Sequence, residues 1–174
     1  KCGSSRSLFA SKRTQSGSKA NMNKILLVDD NPFNLLVAKT MLEGLKYSVV
    51  TALNGRLAIE EAMKVKDISL ILMDIQMPVM DGYEASRELR RMMEKKEIPE
   101  IPIVALSAND SEDDKKRSRE VGMYSYLSKP VSEESLKVVL DEIVSNKMAT
   151  TENEDPDMMM MGDSQAQTPL FEIK

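Results

Sequence analysis

The sequence of 174 residues contains no histidine and a single cysteine, Cys2. The absence of histidine excludes a Ser-His-Asp or Cys-His nucleophile pair, an imidazole metal site and an autophosphorylating histidine within this polypeptide. One cysteine also excludes an internal disulfide, which is consistent with a reducing compartment. Any chemistry of these residues must therefore come from carboxylates, hydroxyls, amides and ammonium groups.

Aromatic residues and long apolar runs are also scarce. Aromatic residues make up 4% of the chain and hydrophobic residues 41%, so the core must be aliphatic and rich in methionine. This content of hydrophobic residues suffices for the core of one domain of roughly 100 to 150 residues. The longest apolar stretches, residues 25–28 and 70–73, are far shorter than the roughly 18 residues that suggest a membrane span. The composition predicts one soluble domain with tails.

Charge and complexity divide the chain into three parts. Residues 1–22 carry five basic residues, no acid and six serines, which predicts a flexible basic linker. Residues 147–174 carry six acids, two lysines and a run of four methionines, which predicts a disordered acidic tail. Residues 23–146 keep 17 basic and 22 acidic residues, a net charge of −5. This balance argues against direct binding of nucleic acid by the folded part.

Five short runs rich in Ile, Val and Leu alternate with helical patterns in the middle part. Strands are predicted at Lys24–Val28, Tyr47–Thr51, Ser69–Met73, Ile101–Leu106 and Tyr124–Leu127. Strands one, three and four are almost wholly apolar, as in a parallel sheet with helices on both faces. We therefore predict an α/β, flavodoxin-like (βα)5 fold. Its doubly wound, five-stranded parallel sheet has the order 2-1-3-4-5, with strand five at an edge.

The helical patterns differ in their apolar content. Asn31 and Pro32 predict the start of the first helix, whose apolar face is predicted at Phe33, Leu36, Val37 and Met41. In contrast, residues 110–120 comprise nine charged residues and two serines. A helix that is polar all round is weakly anchored. We therefore predict that this fourth segment is short, frayed or mobile.

Polar side chains stand at the carboxyl ends of four predicted strands. Asp29 and Asp30 follow strand one, and Asp74 follows strand three. Ser107 follows strand four, and Lys129 follows strand five. In doubly wound sheets, ligands bind beyond these ends where the strand order reverses, here between strands one and three. The sequence thus predicts three carboxylates, a hydroxyl and an ammonium group at one edge of the sheet.

This set of groups favours phosphoryl chemistry. Three neighbouring carboxylates repel one another, so either one holds a proton or a cation lies among them. Because the ligands are all oxygens, a hard ion such as Mg²⁺ is favoured. An aspartate beside Mg²⁺ can attack a phosphoryl group, while the ion and a lysine offset the developing charge. We predict Asp74 as the nucleophile, Asp29 and Asp30 as Mg²⁺ ligands, Lys129 as the partner of the phosphoryl group and Ser107 as its hydrogen-bond donor.

Four motifs at this edge carry a family resemblance. They are KILLVDDN at 24–31, LMDIQMPVMDG at 72–82, ALSA at 105–108 and YLSKP at 126–130. In this order and spacing, across residues 23–146, they resemble the receiver domain of two-component response regulators. The Asp-Asp-Asn-Pro opening and the Met-Pro-Val-Met-Asp-Gly stretch most resemble receivers of hybrid histidine kinases.

The resemblance implies a role for each matching metal or acceptor position. Asp74 matches the phosphoacceptor. Asp29 and Asp30 match the acidic pair that binds Mg²⁺ together with Asp74, and the backbone carbonyl of Gln76 is a further ligand.

The resemblance also implies a conformational switch. Ser107 matches the switch hydroxyl and Tyr126 the switch aromatic residue. Lys129 matches the lysine of the family pattern, and its bond to Pro130 is expected to be cis.

The implied function is that of a phosphoacceptor signalling domain rather than an enzyme with its own substrate. The phosphoryl group would come from a phosphohistidine on a histidine kinase or a histidine phosphotransfer protein, and the receiver would assist its own phosphorylation and dephosphorylation. We expect a cytoplasmic monomer or weak phosphorylation-dependent dimer without direct membrane contact. Because the chain begins at Lys1 rather than Met, both a stand-alone receiver and a fragment of a membrane-anchored hybrid kinase remain open.

Two other functions remain open from the sequence. A receiver-like binding module that works without phosphorylation would be expected to lose the acceptor, the acidic pair or the lysine, and all are present here. An Asp-nucleophile, Mg²⁺-dependent phosphatase of the haloacid dehalogenase type would carry Asp-x-Asp. Here Asp74 is followed by Ile75 and Gln76, so the second carboxylate expected to act as acid and base is missing.

Overall fold

The computed structural model describes residues 24–109 and 111–151. The linker predicted at residues 1–22 lies outside the described residues, as do residues 152–174 of the predicted tail. The chain divides into two compact units after Leu136. The first holds the entire sheet and the first four helices, and the second holds most of the last helix.

Five parallel strands form one sheet in the order β2-β1-β3-β4-β5, which confirms the predicted topology and places strand five at an edge. Every residue of the third and fourth strands is buried, which explains their continuous apolar sequence. The predicted strand positions are confirmed with small shifts at their ends. The strands are β1 (Lys24–Val28), β2 (Ser48–Ala52), β3 (Ile68–Asp74), β4 (Ile103–Ser107) and β5 (Ser125–Ser128).

Five helices follow the strands: α1 (Pro32–Gly44), α2 (Gly55–Lys64), α3 (Gly82–Glu94), α4 (Glu112–Glu120) and α5 (Glu133–Thr151). A side chain just before each of the first four helices accepts a hydrogen bond from a backbone N–H of the first turn, as a helix N-cap does. Helix α5 continues to Thr151, past the domain end predicted at residue 146. Within the described ranges, no helix has the length and apolar composition needed to cross a membrane.

The predicted apolar face of α1 is wrong. Phe33 and Leu36 are 69% and 62% exposed. The buried face of α1 is instead formed by Leu35, Ala38 and Leu42. At about 100° per residue, the centres of the two stripes lie roughly 160° apart, on nearly opposite sides of the helix. Because the first half of α1 is apolar on both stripes, periodicity alone could not decide which one meets the sheet.

Helix α4 is held in place largely by polar groups. It has nine residues, one fewer than α2, and it extends over most of the segment that was predicted to be short, frayed or mobile. Ser118 is buried and its hydroxyl donates a hydrogen bond to the carbonyl of Asp114 at 2.8 Å. From α3, the hydroxyl of Tyr83 lies 3.2 Å from Oδ1 of Asp114, and the guanidinium of Arg117 lies 4.3 Å from the Tyr83 ring centroid. The predicted mobility of α4 stays a prediction.

Candidate functional site

Three carboxylates meet at the carboxyl edge of β1 and β3. One oxygen of each of Asp29, Asp30 and Asp74 lies within 4.8 Å of the other two. Asp29 and Asp74 are buried, whereas Asp30 is exposed. Opposite ligands of a Mg²⁺ ion are about 4 Å apart, so small side-chain movements would bring these oxygens into one coordination shell. The donor set, which consists of hard oxygens with a solvent-facing side, therefore fits Mg²⁺.

Lys129 reaches this cluster from the segment after β5. Its Nζ lies 2.6 Å from Oδ2 of Asp29 and 2.7 Å from Oδ2 of Asp74. The backbone N–H of Lys129 donates to the carbonyl of Ser107 at 2.6 Å, which ties this segment to the end of β4. The bond from Lys129 to Pro130 is cis, as the resemblance implies. The ammonium group thus offsets the repulsion between the two buried carboxylates.

The electrostatics of the site follow from burial and from this pairing. Burial raises the pKa of Asp74 above its ordinary value of 3.8, because desolvation outweighs the favourable hydrogen bond and charge of Lys129. Burial also acts to lower the pKa of Lys129, but its hydrogen bonds to Asp29 and Asp74 and their charges raise it above 10.5. Lys129 is therefore protonated at neutral pH, and a further cation near Asp74 would favour the ionised form of this carboxyl group.

The two predicted switch residues lie on β4 and β5. Ser107 is buried at the end of β4, and its Oγ accepts a hydrogen bond from the backbone N–H of Asn109 at 3.1 Å. Tyr126 is opposite Ala105 in the sheet and packs against the core. Its hydroxyl is buried and has no hydrogen-bond partner among the described residues. The Nζ of Lys115 in α4 lies 5.9 Å from the Tyr126 ring centroid, so α4 and β5 are in contact through these side chains.

Gln76 lies two residues after Asp74, the predicted acceptor. Its side chain is exposed, and its backbone N–H donates to Oδ1 of Asp74 at 3.2 Å. This contact orients one oxygen of Asp74 and holds the start of the loop between β3 and α3 close to it. The use of the Gln76 carbonyl as a metal ligand stays a prediction.

The sequence reasoning missed two residues at this site. The side-chain amide of Asn34 lies 3.1 Å and 3.2 Å from the two oxygens of Asp29. Gly82 starts α3 so close to β3 that a Cβ there would overlap the backbone carbonyl of Asp74. The available signals for these contacts were a polar residue in the first turn of the helix after β1 and the Asp-Gly pair at the start of α3.

Residues 25–141 match the family model described as the response regulator receiver domain. The sensor protein GacS of Pseudomonas syringae is 40% identical over 117 residues, which cover 67% of this chain and 13% of GacS. The aerobic respiration control sensor protein ArcB of Escherichia coli is 40% identical over 116 residues, covering 67% of this chain and 14% of ArcB. The chain therefore spans only a small part of the curated relatives that it matches.

Solved structures give the same fold. The chemotaxis protein CheY4 of Vibrio cholerae is 31% identical, with a TM-score of 0.64 and coverage of 70% of this chain and 98% of CheY4. The receiver domain of a sensor histidine kinase from Pseudomonas aeruginosa is 36% identical, with a TM-score of 0.63 and coverage of 71% and 98%. That structure has a magnesium ion coordinated in its active-site cleft.

Proposed function

The chain belongs to the response regulator receiver domain family, and on this basis we propose that it is the phosphoacceptor of a two-component phosphorelay. Asp74 accepts the phosphoryl group from a phosphohistidine on a histidine kinase or a histidine phosphotransfer protein. The observation that carries the proposal is the cluster of Asp29, Asp30 and Asp74, in which Nζ of Lys129 lies 2.7 Å from Oδ2 of Asp74.

The reaction requires little of the protein beyond positioning and charge. An oxygen of Asp74 attacks phosphorus, the bond from phosphorus to the donor imidazole nitrogen breaks, and its electron pair stays with that imidazole. Lys129 faces the incoming phosphoryl oxygens and offsets their charge. Asp29, Asp30, Asp74 and the Gln76 carbonyl would hold Mg²⁺, which offsets further charge on those oxygens. The product is an aspartyl phosphate, and water can later hydrolyse it with the help of the same groups.

The output is a change of conformation. Phosphorylation replaces one carboxylate charge with a group of roughly −1.5 to −2 and three acceptor oxygens. Lys129 would turn from the carboxylates to the phosphoryl group, and the Ser107 hydroxyl would donate to it. These movements draw the segments after β4 and β5 inward, and Tyr126 changes position with them. Shifting the ratio of active to inactive conformation from 1:99 to 99:1 needs about 5.5 kcal/mol of difference in interaction free energy between the two conformations.

The donor histidine must be supplied from outside these 174 residues, since they contain none. We place the receiver in the cytoplasm, as a monomer or a weak phosphorylation-dependent dimer, either alone or as part of a hybrid histidine kinase. The relatives at 40% identity are a sensor protein and an aerobic respiration control sensor protein.

The test is to incubate the full chain with Mg²⁺ and a small acyl phosphate and to measure its intact mass. We expect one added phosphoryl group, lost on Asp74→Asn and on chelation of Mg²⁺. The exposed Asp113→Asn variant is the matched control and should keep the adduct.

An adduct that survives both Asp74→Asn and chelation would contradict the assignment. Bound Mg²⁺ without any adduct would favour the phosphorylation-independent binding module. Sustained turnover of phosphate monoesters would favour the phosphatase.

A further inference from the structure

Asp29 is held by hydrogen-bond donors on both of its oxygens. Oδ1 accepts from the backbone N–H of Asn31 at 2.9 Å and from Nδ2 of Asn34 at 3.1 Å. Oδ2 accepts from Nζ of Lys129 at 2.6 Å and from Nδ2 of Asn34 at 3.2 Å. Among the hydrogen bonds of the described residues, Asn34 is therefore the side chain that bridges both oxygens of Asp29.

The three donors to Asp29 differ in the other contacts that they make. Lys129 also contacts Asp74, and in the proposed reaction it turns to the phosphoryl group. The Asn31 N–H binds a single oxygen, which leaves the carboxylate free to rotate about that contact. Asn34 is not shared with Asp74 and contacts both oxygens, so it can keep the orientation of Asp29 while Lys129 moves.

The chemistry of an amide suits this task. It donates hydrogen bonds without adding charge, so it holds Asp29 without neutralising it. An ammonium or guanidinium group in the same place would oppose a divalent cation. The first turn of α1 supplies the rigidity, because Pro32 and the Asn31 cap fix the start of the helix that carries Asn34.

We propose that Asn34 is a positioning residue that orients the Asp29 carboxylate for Mg²⁺ and, through it, for phosphoryl transfer to Asp74. The link to phosphoryl transfer rests on the proposed function, whereas the effect on Mg²⁺ affinity does not. Partners that orient metal-ligating groups typically contribute roughly 10- to 100-fold to metal affinity or activity.

The experiment measures the Mg²⁺ dissociation constant of the full chain by NMR titration of backbone amides. Asn34→Ala removes the donor, and Asn34→Leu removes it while keeping a similar volume. The matched control is Asn54→Ala, which removes the cap contact to the Leu57 N–H in α2 and no hydrogen bond to Asp29. Thermal unfolding of each variant without Mg²⁺ identifies any loss of folding.

We expect both Asn34 variants to weaken Mg²⁺ binding about 10-fold or more, with Asn54→Ala unchanged. Their phosphorylation by an acyl phosphate should be slow at low Mg²⁺ and recover at saturating Mg²⁺, which a general folding defect would not produce. An unchanged dissociation constant in both folded Asn34 variants would overturn the inference.

The two proposals fail in different ways. If wild type binds Mg²⁺ in an Asn34-dependent manner but accepts no phosphoryl group, the proposed function fails and the role of Asn34 in Mg²⁺ binding stands. If wild type is phosphorylated and the Asn34 variants bind Mg²⁺ normally, the inference fails and the function stands. If wild type binds no Mg²⁺, both are overturned.

Discussion

The ammonium nitrogen of Lys129 lies 2.6 Å from Oδ2 of Asp29, a residue 100 positions earlier in the chain. The same nitrogen lies 2.7 Å from Oδ2 of Asp74. One largely buried cation thus pairs with two buried carboxylates from different strands. Removing any of the three groups changes the balance of charge for the other two, which makes this contact the natural starting point for tests.

Lys129→Met should destabilise the protein in the absence of Mg²⁺. Asp29 and Asp74 would remain buried without their cation, and losing one partner of a buried ion pair costs about 3 kcal/mol or more. Mg²⁺ should restore part of this loss and should bind more tightly than in wild type, because the competing ammonium group is gone. Urea unfolding with and without Mg²⁺ measures both effects.

The control for Lys129→Met is Lys39→Met, which breaks an exposed ion pair with Glu43. Exposed pairs of this kind contribute about 0–1 kcal/mol. Equal losses of stability in the two variants would show that the buried ion pairs of Lys129 contribute no more to stability than an exposed pair.

Asp74→Asn should stabilise the protein without Mg²⁺ at neutral pH. The folded-state pKa of Asp74 is raised above 3.8 by burial, so folding favours its protonated form. Its contribution to stability is therefore fully present below the unfolded pKa and is lost as the pH rises through the folded pKa. The amide of the variant does not ionise, so it does not lose this stability as the pH rises. The stability that the variant gains over wild type should therefore shrink as the pH falls towards 4.

Unfolding by urea between pH 4 and pH 7 measures this difference. Asp113→Asn, at an exposed position of α4, is the control and should show no comparable trend. If the stability gained by Asp74→Asn over wild type grew towards low pH, this would contradict the assigned direction of the Asp74 pKa shift.

Two tyrosine-to-phenylalanine changes should have different effects. Tyr83→Phe removes a hydroxyl that donates to Asp114, at a cost of about 1 kcal/mol. Tyr126→Phe removes a buried hydroxyl that has no hydrogen-bond partner among the described residues, so stability should stay constant or rise by up to about 1 kcal/mol. Chemical unfolding of the pair decides the matter, and a larger loss for Tyr126→Phe would contradict the assigned contacts.

Helix α4 should exchange its amide hydrogens faster than the central sheet. Its residues are almost all charged, and it is held mainly by Tyr83, Ser118 and neighbouring polar contacts. Segments with few buried apolar contacts open locally at low free energy. Hydrogen exchange of residues 111–120 as slow as that of Leu70–Met73 would show that these polar contacts anchor the helix fully.

Gly82→Ala should damage both stability and phosphorylation. The added Cβ would overlap the backbone carbonyl of Asp74, and such overpacking costs about 1–3 kcal/mol. The shift of β3 should also slow formation of the acyl phosphate. Gly44→Ala is the matched control, because nothing lies within 4 Å of its added Cβ, and alanine near the end of α1 should add up to about 1 kcal/mol.

Much of the fold follows from local pattern and general rules of parallel sheets. The strands could be predicted because β3 and β4 are apolar along their whole length, as strands buried on both faces must be. Right-handed connections then leave few possible strand orders. The ends of the strands were less predictable, because Asp74 and Ser107 are polar residues that still pair within the sheet.

The sequence by itself determined the chemistry at the sheet edge. The carboxyl ends of the parallel strands lie at one edge of the sheet, so polar residues at the ends of β1, β3 and β5 are expected near one another, and Asp29, Asp74 and Lys129 are. The absence of histidine limited the metal ligands of these residues to oxygen. Neither conclusion needs an interatomic distance.

Only the tertiary structure decided which neighbours act on these groups. Periodicity identifies stripes on a helix, but the rotation of α1 against the sheet buries Leu35 and exposes Phe33. The same rotation directs Asn34 towards Asp29, and the packing of α3 against α4 brings Tyr83 to Asp114. Such contacts depend on how separate elements are placed to within a few ångströms, and no local pattern along the chain encodes that placement.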